Sequence, residues 1–214
     1  MPEVFTTILV VDGQPRWLEE HLDRLNQHAR ESSLRGGAAD VAIQDWMDCF
    51  NAKAFRNDEG FERALLRLSI NKQGYEIKIR ALKPPSAKDY EQGVLVYLSD
   101  QIATSQIKTN ERQVYDLAYE QARGQNAFEG LLLNPEGYLV DGSRTSLLLI
   151  QENRLTILEG GIKSITREQV ALSAKKLGFE IKRAYLKPHE LEGQLFLAGT
   201  GVGLVPVRKI IGLK

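Results

Sequence analysis

Lys108 carries the most chemical promise in this chain. It sits in Ser105-Gln106-Ile107-Lys108-Thr109-Asn110, just before a helix candidate over 111–122. A lysine at a strand-to-helix junction can be held inward and desolvated, which lowers its pKa toward that of a nucleophilic amine. Most lysines in such places point to water, so the local sequence leaves both readings open. Two glycine-rich stretches concern anions. Gly160-Gly161-Ile162-Lys163-Ser164-Ile165-Thr166 opens a helix, and the free amides of a helix start, with the Thr166 hydroxyl, form an anion-binding terminus. Gly199-Thr200-Gly201-Val202-Gly203 fails as a dinucleotide loop, because Leu204, Val205, Pro206 and Val207 continue it as a strand where a helix is required. Its backbone and Thr200 can still bind one phosphate, although a tight turn between strands is the plainer reading. Two backbone anion sites without a Walker pattern favour a phosphate monoester over a nucleoside triphosphate. Arg24, in His21-Leu22-Asp23-Arg24-Leu25, is a further cation of a type more often solvated, and Asp141-Gly142-Ser143 reads first as a turn. His21, His28 and His189 form no triad, and Cys49 reads as core.

Elements must hold these residues in place. A β-branched, apolar run predicts a strand over 4–11, closed by the Asp12-Gly13 turn. Over 16–30 the period becomes helical, with Trp17, Leu18, His21, Leu22, Leu25 and Ala29 on one face. A second amphipathic helix carries Val41, Ile43, Trp46, Met47 and Phe50. Strands over 64–70 and 75–82 follow as a hairpin. The Pro84-Pro85 pair in the stretch 83–89 marks a boundary, and 93–98 is a short strand. The second half is strand-rich, with strands over 128–133, 138–140, 145–150, 155–158, 181–186, 194–198 and 204–208. Asn134-Pro135-Glu136-Gly137 joins the first two. One helix over 164–177 interrupts them, with Thr166 and Gln169 as a capping box and Gly178 as its stop. The reading is α+β in two lobes: a smaller domain over 1–85, a linker and connecting strand over 86–104, and a C-terminal domain over 105–214.

Composition narrows the classes. The 214 residues hold 28 Lys+Arg against 28 Asp+Glu, so the formal net charge is zero and no basic surface for nucleic acid is implied. Apolar runs such as Leu131 to Leu133 fall far below the ~20 residues of a membrane helix, and the first residues lack a signal-peptide pattern. One cysteine and three histidines leave little material for a metal site. A cytoplasmic, metal-independent protein is the expectation.

In order, these pieces resemble the class IV aminotransferase family, the fold type IV pyridoxal-phosphate enzymes. The pieces are Phe5-Thr6-Thr7, Leu18 through Leu25, Ile107-Lys108-Thr109, Asp141 through Ser146, Gly161 through Arg167, and Gly199-Thr200 with Pro206-Val207. The resemblance implies a fold like that of D-amino-acid aminotransferase, with an N-terminal α/β sandwich and a C-terminal strand-rich, barrel-like, cofactor-binding lobe. It implies pyridoxal 5'-phosphate, with Lys108 as the attachment point and proton carrier. Arg24, Ile165, Thr166 and Thr200 would hold the cofactor phosphate. Asp141 would face the ring nitrogen where the family has a glutamate. Three positions depart from the pattern: Asp141 is one methylene short, while Leu147 and Glu111 stand where asparagine is common. The leading strand and Gly-Asp-Gly segment that usually precede the Phe5 position are also absent from the sequence. Within the family, Phe5-Thr6-Thr7 and Arg112 resemble 4-amino-4-deoxychorismate lyase, which releases pyruvate and forms 4-aminobenzoate for folate synthesis. A transaminase for branched-chain or D-amino acids, or a non-catalytic cofactor-binding relative, is the alternative. The resemblance also implies a homodimer acting on a small amino substrate.

Overall fold

The computed structural model describes residues 3–32 and 62–212. The chain divides into two compact units, Met1–Lys83 with Ile107–Glu111, and Pro84–Gln106 with Arg112–Lys214. Among the described residues no helix is long and apolar enough to cross a membrane.

In the first unit β1 (Val4–Val11), β2 (Gln14–Pro15), β3 (Arg63–Asn71) and β4 (Gly74–Ala81) form an antiparallel sheet in the order β2-β1-β3-β4. Asp12 and Gly13 take positive φ values of 50° and 74°, the mirror-image turn that suits a tight hairpin. Helix α1 (Leu18–Glu31) packs on the sheet. Period-two residues Val4, Ile8 and Val10 of β1 and Ala64, Leu66, Leu68 and Ile70 of β3 meet Leu22, Leu25 and Ala29, spaced by helical turns. Each large side chain so buried contributes about 1.5–3 kcal/mol. Trp17 departs from the expected apolar face. Its left-handed backbone (φ 54°) precedes the helix, and the ring stays 37% exposed. In its place the buried face admits polar side chains, His21, Arg24 and His28. The expected helix around Trp46, and Cys49 with it, lie outside the described residues.

The segment Ile107–Glu111 belongs to this unit although its flanks do not. Thr109 pairs with Val4 as an antiparallel bridge, Phe5 N donates to Lys108 O (3.1 Å), and Asn110 N donates to Glu3 O (2.9 Å). The start of β1 thereby gains a partner along an edge that β2 leaves bare.

The second unit contains α2 (Ala87–Gln92), β5 (Val94–Ile102), α3 (Gln113–Gly124), β6 (Glu129–Leu133), β7 (Leu139–Gly142), β8 (Ser146–Gln151), β9 (Arg154–Leu158), α4 (Ile165–Lys176), β10 (Glu180–Ala184), β11 (Gln194–Gly199) and β12 (Gly203–Ile211). Its strands form one mixed eight-stranded sheet in the order β10-β9-β8-β11-β12-β5-β6-β7. The sheet curls on itself: Leu139 N of β7, at one edge, donates to Leu186 O, just beyond β10 at the other. Leu131, Leu139, Leu147, Leu158, Leu197 and Val205 fill one core of this barrel-like lobe. The stretch 86–104, read from the sequence as linker and connecting strand, carries α2 and β5. Ser86 and Asp89 form a capping box, and β5 lies inside the sheet between β12 and β6.

The N-cap of α4 is Ser164, not Thr166: its backbone is extended (φ −101°, ψ 121°) and its Oγ accepts from Arg167 N at 3.2 Å. Thr166 is therefore inside the first helical turn, and its hydroxyl serves another contact.

Candidate active site

That contact is with Thr200. The Thr166 and Thr200 hydroxyl oxygens lie 3.4 Å apart, so the start of α4 and the β11–β12 turn meet at one corner of the second unit. The turn is tight, with Val202 N donating to Gly199 O (3.1 Å). Ile165 and Thr166 occupy the first positions of the helix, where an amide has no acceptor in a preceding turn and is aimed along the axis at whatever sits before it. Amides and hydroxyls converging at a helix start form the donor set an oxyanion needs. Arg167, buried in the same turn, sends Nη1 to Leu158 O at 2.9 Å. A cation in the first helical turn is out of place electrostatically. That misfit, visible in the sequence, could have drawn attention to Arg167.

Asp141 is buried on β7, and its Oδ2 accepts from Ile162 N at 3.0 Å. The Gly160-Gly161 stretch makes this contact possible. A Cβ on Gly161 would lie 2.4 Å from Val140 O and 2.9 Å from Asp141 Oδ2, so only glycine lets the loop before α4 come this close to the acid. Tyr115 of α3 is near enough to feel the carboxylate. Burial above all, and then the charge of Asp141, raise its phenol pKa, against the opposing pull of Arg112.

Lys108 and Arg24 belong to the first unit. The Lys108 main chain is fixed on both sides: its O accepts from Phe5 N, and its N donates to His28 Nδ1 of α1 at 3.1 Å. Its side chain is half-buried, with Nζ 5.2 Å from the centre of the Phe5 ring. Arg67 stands over the same ring at 3.7 Å. Arg24 is 4% exposed, and burial lowers its pKa to about 10. It is not the solvated cation that its type suggests. Its Nη2 donates to Thr6 Oγ1 (2.6 Å), which in turn meets His21 Nδ1 at 2.7 Å. His21 titrates at about 3, lowered first by burial and then by the charges of Arg24 and Lys108, so it stays neutral near pH 7. Thr6 and His21 were not singled out as site residues. Helical spacing puts His21 on the apolar face of α1, and Thr6 enters only as part of the Phe5-Thr6-Thr7 piece of the resemblance.

The structure thus gathers Ile165, Thr166 and Thr200 at one corner and ties Asp141 to the same loop through Ile162. In the other unit it gathers Arg24, Thr6 and His21, with Lys108 close enough to act on His21. The sequence profile of amino-transferase class IV proteins matches residues 3–210. The chain belongs to this family. A crystal structure described as a proposed 4-amino-4-deoxychorismate lyase is similar at 38% identity and a TM-score of 0.85, covering 96% of this chain and 84% of that one. A proposed branched-chain-amino-acid aminotransferase of Methanocaldococcus jannaschii is 32% identical over 101 residues, 45% of this chain and 35% of that protein. The match therefore spans about a third of that curated relative's length. A hypothetical aminotransferase of Mycobacterium tuberculosis, solved with pyridoxal phosphate bound, shares the fold, with a TM-score of 0.79 at 19% identity over 98% of this chain and 81% of that one. The residues in hand fit such a cofactor. The amides and hydroxyls around Thr166 and Thr200 suit a phosphate, and the buried Asp141 suits a ring nitrogen that must keep its proton.

Proposed function

We propose that this family member is a 4-amino-4-deoxychorismate lyase, releasing pyruvate and forming 4-aminobenzoate for folate synthesis. The supporting observation is the likeness to the proposed lyase, 38% identical across 96% of the chain. Pyridoxal 5'-phosphate is the cofactor. When bound, it supplies an electron sink for charge developing at the substrate α-carbon. The reading assigns Lys108 as the attachment residue and as the amine that carries a proton to and from that carbon. The Phe5 and His28 bonds hold the Lys108 main chain so that only the side chain needs to move. Ile165, Thr166, Thr200 and Arg24 are assigned to the phosphate. Asp141 is assigned to the ring nitrogen, where its negative charge keeps a proton in place.

Protein that absorbs as a bound pyridoxal chromophore and yields a borohydride-fixed adduct at Lys108 is the expected result. Lys108→Ala should lose about 10²–10⁴-fold in turnover, and a colourless wild type would overturn the assignment. The second reading is transamination, which the likeness to a branched-chain aminotransferase favours. The two reactions separate by product. Pyruvate formed without any 2-oxo acid acceptor supports the lyase, whereas strict dependence on an acceptor supports the transaminase. A cytoplasmic homodimer completes the reading, and light scattering of the purified protein tests its assembly.

A further inference from the structure

We propose that Glu129 is a positioning residue for Asp141: its buried carboxyl grips the turn that follows Asp141 and so fixes where that acid points. Its importance for catalysis rests on the reading of Asp141 as partner of the cofactor ring, but the positioning itself does not.

Glu129 opens β6 and is 2% exposed. Its Oε1 accepts from the Ser143 hydroxyl and from Arg144 N, the latter at 2.8 Å. Both partners are donors, so an acceptor-only group suits the position, and a hydrocarbon there would strand the Arg144 amide. The rest of the turn is held as tightly. Gly142 N donates to Thr145 O and Ser143 N to Gly130 O, each at 2.8 Å, and Nη2 of Arg112, the N-cap of α3, donates to Ser143 O. A Cβ on Gly142 would lie 3.1 Å from Glu129 Cγ and 2.4 Å from Thr145 Oγ1. The main chain of Asp141 is fixed from one side by its pairing with Leu132 and from the other by this turn. None of these contacts involves the phosphate corner.

The charged group acting directly on the carboxyl is Arg144 of the turn itself. From α3, packed over β6, Arg112 reaches the turn through Ser143 O, and Tyr115 stands beside Asp141. From β5, the paired residue is the apolar Val96. Burial pushes the Glu129 carboxyl up to about 7, against the Ser143 and Arg144 bonds and the Arg144 charge. Near neutrality it therefore alternates between an ion that takes both donors and an acid whose own O–H competes for a place among them.

Hydrogen exchange on the protein with and without pyridoxal phosphate tests the proposal. The Ile162 amide reports Asp141 directly, because that amide donates to Asp141 Oδ2. In Glu129→Ala, exchange at Arg144 and Ile162 should quicken at least about tenfold, while Leu148 of β8 stays protected. Glu129→Gln keeps an acceptor and should restore both amides. With cofactor bound, Glu129→Gln should lose the part of the absorbance's pH dependence near 7 that Glu129 contributes, so its profile should differ from that of the wild type. Ile162 exchange unchanged in Glu129→Ala, or wild-type and Glu129→Gln absorbance profiles that coincide around pH 7, would overturn the proposal. Should Glu129→Ala not fold, the Gln variant's pH profile decides. A wild type that binds no cofactor would sink the proposed function, yet the exchange comparison would still read the grip of Glu129.

Discussion

His21 pays for its place in the first unit through its proton. With a folded pKa of about 3 against an ordinary 6.5, it binds fewer protons folded than unfolded between those values. Stability is therefore full above pH 6.5 and is lost as pH falls toward 3, by up to ~1.4 kcal/mol per pH unit. Urea melts followed by a probe in the first unit should show that slope, and His21→Asn should flatten it. Thr200 allows a second test. Replacing its hydroxyl by a methyl in Thr200→Val should weaken pyridoxal-phosphate binding at least about tenfold, since one bond to a charged oxygen contributes ~1.5–3 kcal/mol, measured by cofactor titration. At this scale the sequence showed chemical types but not pairings. Arg24 was visible as a cation, but its burial against Thr6 was not, because that contact joins a strand to a helix whose crossing no local pattern encodes.

Elements were more legible than their ends. A β-branched, apolar run gave β1 its full span, and the hairpin β3–β4 falls where its apolar runs and the Asn71–Gly74 turn put it. Helix α4 falls inside its expected span, but its cap lies two residues before the expected one, because Ser164 and Thr166 are both competent caps and only the extended backbone at Ser164 decides between them. Helix α2 is masked in the sequence by Pro84-Pro85, which break any element that would run through them, whereas the Ser86/Asp89 capping box starts a new one directly after. The Gly160-Gly161 stretch reads from the sequence as part of an anion-binding helix start, and the structure adds that it serves close packing. Gly161→Ala places a methyl carbon 2.4 Å from Val140 O. Backbone cannot yield as a side chain can, so the loop must move away from Asp141. The expected outcome is a folded protein with weakened cofactor binding and faster exchange at the Ile162 amide.

For the whole molecule, the α+β class and strand-rich second half were readable, but the strand order was not. Neighbours such as β5 and β12 are paired in parallel across more than half the chain, and pairing at that separation leaves no periodic trace. The excursion of Ile107–Glu111 into the first unit was equally invisible. It predicts that residues 1–83 made alone will melt earlier than the same unit in the intact chain, and that adding a fragment of residues 84–214 will recover part of the loss by circular dichroism. It also sets a timetable for biosynthesis. The Phe5 amide is made 103 residues before its Lys108 acceptor, so their bond waits until that much more of the chain has been synthesised. Until then the nascent polypeptide shows an open strand edge, the kind of surface a chaperone shields from neighbouring chains.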